Sequence, residues 1–314
     1  MLNPTILVTG AAGGRQGSTG NHVTRALLKR GIPVRALVHR FDERSDQLRT
    51  LGAEVVEGDF LDIWSVRGAM RDIRRAYFAY PVQEGLLDAT AIFATAAQDA
   101  RLELLVNVTM LRPAPDAPTP RMRQNWLSER VFNWANVGAV HVCAPVFYEN
   151  LRSLVTGSLA QGSLIQLPWG DDSTVVPLVG AEDVAQVAVG LLTGPVVANG
   201  TSYQLTGAVL TLAEIIQTFS QVLGKSIRYE PISDDQWRQS AAAHNVNPHA
   251  LEHLSQLWRF FRTAGSPGDK SRYQISDAIK KIGGREPQTL EQFVRKHLSA
   301  FVAVPGSRDN VRQG

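Results

Sequence analysis

Residues 5–40 constrain this chain more than any other stretch. A short apolar run, Ile6-Leu7-Val8, has the length and composition of a buried strand. It breaks into a loop with glycine at 10, 13, 14, 17 and 20, and a helical pattern follows through Val23, Ala26, Leu27 and Leu28. Gly31 ends that helix and a second apolar run occupies Val34 to Val38. Strand, glycine-rich turn, helix and strand together make the unit that binds a dinucleotide pyrophosphate. Glycine lets the backbone approach the phosphates, and the helix start offers free N–H groups and partial positive charge. The strict G-x-G-x-x-G spacing is absent, so the reading rests on where the glycines stand, between a strand and a helix.

The end of the second strand bears on the choice of dinucleotide. A chain selecting NAD places Asp or Glu there, to accept the ribose hydroxyls. Here the positions hold His39 and Arg40, and Asp42 comes too late for that geometry. A cation there pairs with a 2′-phosphate through charge-assisted hydrogen bonds, and Arg15 in the glycine loop is placed to join it. The expected cofactor is NADP, with NAD left open.

A chain of 314 residues with 44% hydrophobic content suffices for one large α/β domain, or one with an appended lobe. Net charge is only +3, and the arginines are scattered rather than gathered into a basic stripe with interleaved aromatics. Direct nucleic-acid binding is therefore not expected. The single cysteine, Cys143, lies in an apolar run and forms no internal disulfide, which suits a reducing compartment. The first strand begins by residue 5, leaving no room for a signal peptide, and no apolar stretch is long enough to span a membrane. The expectation is a soluble, cytoplasmic protein with a small-molecule substrate and no membrane partner; a homodimer or a protein partner stays open.

Strands and helices alternate through the first half: helix Glu43 to Leu51, strand Glu54–Val56, helix Ile63–Met70, strand Ala76–Ala79, helix Leu86 to Ala100, strand Leu104–Val108, helix Trp126–Trp134 and strand His141–Ala144. That order argues a doubly wound parallel sheet with helices on both faces. Ligands on such a sheet sit beyond the carboxyl ends of its strands. The positions to watch are therefore Gly10–Gly20, His39-Arg40, Asp59-Phe60, Ala79-Tyr80-Pro81, Thr109-Met110 and Pro145–Asn150. Beyond residue 150 turn signals crowd together, and helical periodicity returns at Val184–Leu192, Leu212–Val222, Pro248–Arg262, Ile275–Ile282 and Leu290–Val302. The division expected is residues 1–150 for the cofactor, with a returning segment near 175–200, and 151–314 as a smaller, mostly helical lobe for substrate or partner.

Several segments resemble the NmrA-like group of atypical short-chain dehydrogenases/reductases, in order along nearly the whole chain. Gly10-Ala11-Ala12-Gly13 matches the first half of that family's G-A-T-G-x-x-G opening, and Arg15-Gln16-Gly17 looks like the R-Q-G of its regulatory member. Counting back from Gly31 by helix length places the third glycine at Gly20, so the loop is extended by a few residues. Gly58-Asp59, Ala144–Leu151, Asp183-Val184-Ala185 and Tyr203–Gly207 resemble further landmarks. The resemblance implies a Rossmann-type domain, NAD(P) binding and a cleft between two lobes. Gly10, Gly13, Gly14, Arg15, Gln16 and Gly17 would face the phosphates and Asp59-Phe60 the adenine. Ala79, Tyr80, Pro81, Thr109, Asn125, Pro145 and Phe147 would line the nicotinamide end. Members include quinone, azo-dye and triphenylmethane reductases, and redox-sensing regulators.

The wider superfamily uses Tyr-x-x-x-Lys, the hydroxyl as general acid and the ammonium tuning it. By resemblance those places fall to Arg121 and Asn125, and no lysine occurs from residue 30 to 224. Thr109 falls where the superfamily polarises its substrate, and Tyr80 and Tyr148 flank the nicotinamide end as further candidates for chemistry. Hydride transfer to a quinone, azo or conjugated acceptor needs less than carbonyl reduction, because such an acceptor takes its proton from water. The expected function is an NAD(P)H-dependent reductase of a flat acceptor. The alternatives are an NAD(P)-sensing regulator and a non-redox enzyme on the same fold. His249-Ala250-Leu251-Glu252-His253 spells H-x-x-E-H, but Asn247-Pro248 before it is an ordinary helix start and no metal is expected.

Overall fold

Alternate residues of the first strand feed two different cores, which sets the layering of the molecule. In β1 (Ile6–Thr9), Ile6 and Val8 join one cluster while Leu7 joins another, as the two-residue period of a strand requires. The computed structural model describes residues 4–14, 18–243 and 246–302. The chain continues through α1 (Thr19–Lys29), β2 (Val34–Val38), α2 (Glu43–Thr50), β3 (Glu54–Glu57), α3 (Ile63–Ala69), β4 (Arg75–Phe78), α4 (Leu86–Asp99), β5 (Leu104–Met110), α5 (Pro120–Ala135) and β6 (Ala139–Ala144). It then runs through β7 (Val146–Phe147), α6 (Tyr148–Gln161), β8 (Leu164–Leu167), β9 (Val175–Val179), α7 (Ala181–Thr193) and β10 (Thr201–Gln204). The remaining elements are β11 (Ala208–Thr211), α8 (Leu212–Leu223), β12 (Arg228–Pro231), α9 (Asp234–Ala243), α10 (Pro248–Thr263), α11 (Ala278–Lys281), α12 (Leu290–Lys296) and α13 (Leu298–Val302).

The central sheet has the order β10-β6-β5-β4-β1-β2-β3, and every pairing in it is parallel. This is the Rossmann arrangement, with the strand order reversing between β1 and β4, where such sheets open a crevice at their carboxyl ends. Val23 and Leu27 of α1 pack with α7 on the face of Ile6 and Val8. Phe93 of α4 and Phe132 of α5 pack on the face of Leu7 and Phe78. Each fully buried side chain of this kind contributes about 1.5–3 kcal/mol. The helix α1 can lie this close because residue 20 is glycine: a Cβ there would stand 2.3 Å from the Thr9 carbonyl oxygen.

The second half holds more strand than its helical periodicity suggests. β7 and β11 flank β9 in one small sheet and β8 pairs with β12 in another, around a third core where Trp169 and Trp258 meet at 4.9 Å. The helical pattern at Ile275–Ile282 yields only the single turn of α11, and the pattern at Leu290–Val302 breaks at His297 into α12 and α13. Asp183, fully buried in the first turn of α7, anchors the returning chain: it accepts from Arg285 at 2.8 Å and from the Gln288 N–H at 2.9 Å. Among the described residues no helix is long and apolar enough to cross a membrane.

Candidate functional site

The carboxyl end of β1 opens into a loop shaped by glycine. Gly10 and Gly13 have φ of +64° and +76°, in the left-handed region that side-chain-bearing residues avoid. A Cβ on Gly14 would meet nothing within 4 Å, so this stretch of backbone is bare on the side where its side chain would stand. The helix beyond it starts without a cap. Ser18, its N-cap residue, makes no side-chain bond to the first turn, whereas α2, α3 and α5 are each capped by an Asp or Thr side chain. Ser18 instead bonds Gly14, Asn21 holds the Ala11 carbonyl oxygen at 2.8 Å, and Tyr77 from β4 pins the Thr19 hydroxyl at 2.6 Å. The described part of the loop is thus tied to a helix start with orphan donors and no acidic residue in its first turn, the arrangement that accepts an anion. Arg15, Gln16 and Gly17 lie outside the described residues.

Beside this loop, His39 and Arg40 emerge exposed from β2, and Arg40 makes no hydrogen bond or ion pair among the described residues. Arg44, which the sequence reading passed over, reaches the Gly13 carbonyl oxygen at 3.4 Å while paired with Asp42 at 2.6 Å. Asp59 is exposed and receives the Leu61 N–H. Phe60 packs edge-on against Phe78 and Tyr80, at 5.9 and 5.7 Å between centroids. Ala79 is held by the Thr9 hydroxyl, and Pro81 is exposed. Pro145 and Phe147 are half-buried after β6.

The three hydroxyls considered for chemistry all donate inside the protein. Tyr80 donates to the Glu84 carbonyl oxygen at 2.9 Å, Thr109 to Glu129 Oε1 at 2.7 Å and Tyr148 to the Gln288 carbonyl oxygen at 3.1 Å. Tyr148 is wholly buried and its hydroxyl pKa is pushed up by that burial, so it presents no proton to a bound molecule. Thr109 is 4% exposed and serves a carboxylate that burial holds above the usual range.

Helix α5 carries a row of polar side chains on one face. Arg121, Asn125 and Glu129 recur every four residues, which stacks them, and this spacing is the signal that reveals Glu129 from sequence. Arg121 is 2% exposed and donates to the carbonyl oxygens of Tyr80 at 2.9 Å and Gln83 at 3.2 Å, fixing the loop after β4. The Asn125 side-chain oxygen is buried without a partner. From α10, His253 bonds the Thr119 hydroxyl at 2.9 Å, and Glu252 pairs with Arg238. The H-x-x-E-H residues are thus turned to packing and to Arg121, whose charge helps to lower both histidine pKa values.

Comparison with known proteins bears on the family and the fold. A family model described as NAD(P)H-binding matches residues 14–139, and the NmrA-like family model matches residues 135–294. An NAD(P)H azoreductase of Xenophilus azovorans is 26% identical over 301 residues, 95% of this chain and 100% of the relative. A (4-alkanoyl-5-oxo-2,5-dihydrofuran-3-yl)methyl phosphate reductase of Streptomyces griseus is 28% identical over 301 residues, 94% of this chain and 99% of the relative. The solved NADPH-dependent quinone oxidoreductase of Escherichia coli, in complex with NADPH, superposes with a TM-score of 0.78 at 17% identity, covering 93% of this chain and 99% of the other. The NmrA-like match spans more than half of the sequence and joins the last central strands to the smaller sheets and helices, and the chain belongs to the NmrA-like family.

Proposed function

We propose that this protein is an NAD(P)H-dependent oxidoreductase, with NADP preferred, that reduces a flat, electron-poor acceptor such as a quinone, an azo compound or a conjugated ring system. The observation that carries the reading is the bare backbone at Gly14 leading into the uncapped start of α1, a cradle that fits a pyrophosphate. The similarity to an azoreductase along nearly the whole length supports the reductase class. In this reading Gly10, Gly13, Gly14 and the undescribed Arg15-Gln16-Gly17 face the phosphates, and His39 and Arg40 the 2′-phosphate. Asp59 and Phe60 border the adenine. Ala79, Tyr80, Pro81, Thr109, Pro145 and Phe147 border the nicotinamide, and the unpartnered Asn125 oxygen accepts a ribose hydroxyl. Residues 1–150, with the returning segment near 175–200, form the cofactor part, and 151–314 the part that selects the acceptor. A cytoplasmic setting suits the lone, buried thiol of Cys143.

Bound NADPH supplies a hydride. The protein's own contribution is to hold the two flat partners together and to keep water from their faces, by the half-buried Phe147 and by the loop that Arg121 fixes. With the Tyr80, Thr109 and Tyr148 hydroxyls all donated internally, the chemistry suits acceptors that take their proton from water. Purified protein supplied with NADPH and a panel of quinones and azo dyes is expected to oxidise NADPH faster than NADH. Tight NADPH binding without turnover of any acceptor would overturn the reductase reading and favour a dinucleotide-sensing role.

A further inference from the structure

Arg121 is buried to 2% exposure, yet among the described residues no carboxylate pairs with it. Arginine is rarely this buried without a counter-charge, because desolvating an unpaired guanidinium is costly. Loss of solvent brings its pKa down to about 10, and the Tyr80 ring, whose centroid lies 5.8 Å from the guanidinium carbon, stands where a carboxylate would be expected. Two of its five N–H donors go to neutral carbonyl oxygens, of Tyr80 and Gln83, and Nε has no partner at all. The surroundings repeat the pattern: Nε2 of His249, on the first turn of α10, is likewise buried and unpartnered. His253 next to it is held near neutrality by burial, with its pKa at about 3. The neighbours grade outward to solvent, since His249 is half-buried while Gln83 and Glu84 are exposed. Glu84 acts on His249 but makes no ion pair with Arg121.

We infer that the junction of α5 and α10 is an oxyanion-binding subsite, in which Arg121 and His249 take a sulfonate, carboxylate or phosphate group carried by the acceptor. The inference rests on the reductase reading for the identity of the ligand, though not for the existence of the site. The guanidinium supplies the charge through its Nε–H and its remaining Nη hydrogens, in the planar fork that matches such oxyanions. A neutral His249 carries one ring N–H and offers one further donor. The two carbonyl bonds hold the guanidinium plane in place, so a ligand need not order it. The half-buried imidazole of His249 and the exposed Gln83 mark the side from which it enters.

The test is calorimetric titration of the NADP-loaded protein with naphthalene-2-sulfonate, a flat anion that cannot be reduced, against a neutral naphthalene of the same size. The sulfonate is expected to bind at least about tenfold tighter, the factor that ~1.4 kcal/mol represents. Arg121→Gln is expected to erase that preference and Arg121→Lys to keep part of it. His249→Glu, on the solvent side of the junction, places a carboxylate beside the guanidinium and is expected to erase it too, which keeps the test open if Arg121→Gln does not fold. Paired turnover with a naphthoquinone and its sulfonate is expected to show the anionic-to-neutral ratio of kcat/KM falling at least tenfold in Arg121→Gln. Equal affinity for both naphthalenes in the unaltered protein would overturn the inference. So would an Arg121→Gln protein that loses NADPH affinity while keeping its sulfonate preference. If no quinone, azo or conjugated acceptor is turned over while the sulfonate preference holds, the reductase reading fails and the subsite stands.

Discussion

Thr109, near the end of β5, donates its hydroxyl to Glu129 of α5 at 2.7 Å and so ties a strand of the central sheet to the helix packed beside it. Burial raises the Glu129 pKa above its usual value and the Thr109 bond pulls it back down. A carboxyl with a raised folded pKa supports the fold fully below its unfolded value and loses that support as pH rises through the folded one. Thr109→Val removes the donor that stabilises the charged form. The variant is expected to lose about 1–3 kcal/mol of stability above neutral pH, and less near pH 5. Urea unfolding at both pH values checks this; an equal loss at the two would mean that the bond does not serve the carboxylate.

Glu149 offers a sharper pH signature. It accepts from the Ala181 N–H at the start of α7 at 3.2 Å, and burial raises its pKa to about 7. Its share of the stability is therefore complete below about 4.5 and lost as pH climbs to 7. Glu149→Gln, which needs no ionisation, is expected to be more stable than the unaltered protein at pH 8, by at most ~3 kcal/mol. That advantage is expected to vanish near pH 4.5. Thermal melts across this range measure it.

Two glycines of the loop separate fold from cofactor. Gly20→Ala drives a methyl to 2.3 Å from the Thr9 carbonyl oxygen, so α1 must lift from β1 and the melting temperature is expected to fall. Gly14→Ala meets nothing within 4 Å, and stability is expected to stay within about 0.5 kcal/mol. If the pyrophosphate lies against that backbone, the same methyl weakens NADPH binding, by about tenfold for a loss of ~1.4 kcal/mol. Unchanged affinity in Gly14→Ala would move the phosphates elsewhere.

Arg40, exposed and uncommitted, is the proposed partner of the 2′-phosphate. Arg40→Asp is expected to lower NADPH affinity at least about tenfold by losing one charge-assisted bond of ~1.5–3 kcal/mol. NADH affinity is expected to change little, and the difference to shrink in high salt. Fluorescence titration with both cofactors decides it, and equal small losses would show that Arg40 points away from the 2′-phosphate.

What the sequence made legible follows from the range of the forces involved. The β1–α1–β2 unit announces itself because an apolar run, loop glycines and an amphipathic helix are all local patterns. The pairing of β8 with β12 joins segments some sixty residues apart, and no local pattern marks it. The helical periodicity at Ile275–Ile282 misleads because Ser276 accepts from the first N–H of a single turn that Gly283 and Gly284 then end. By resemblance Arg121 stands at the place of the superfamily's tyrosine, and the sequence says nothing of what surrounds it there. That its charge is buried and unpaired is a tertiary fact.

The central claim is tested most directly in a single turnover. NADPH-loaded protein is mixed under exclusion of air with a naphthoquinone, using NADPH with hydrogen or deuterium at the transferable position. Acceptor-dependent oxidation of NADPH is expected, slower with the deuterated cofactor and with the label leaving the nicotinamide ring. Saturable NADPH binding with no oxidation by quinone, azo or conjugated acceptors above the protein-free rate would contradict it.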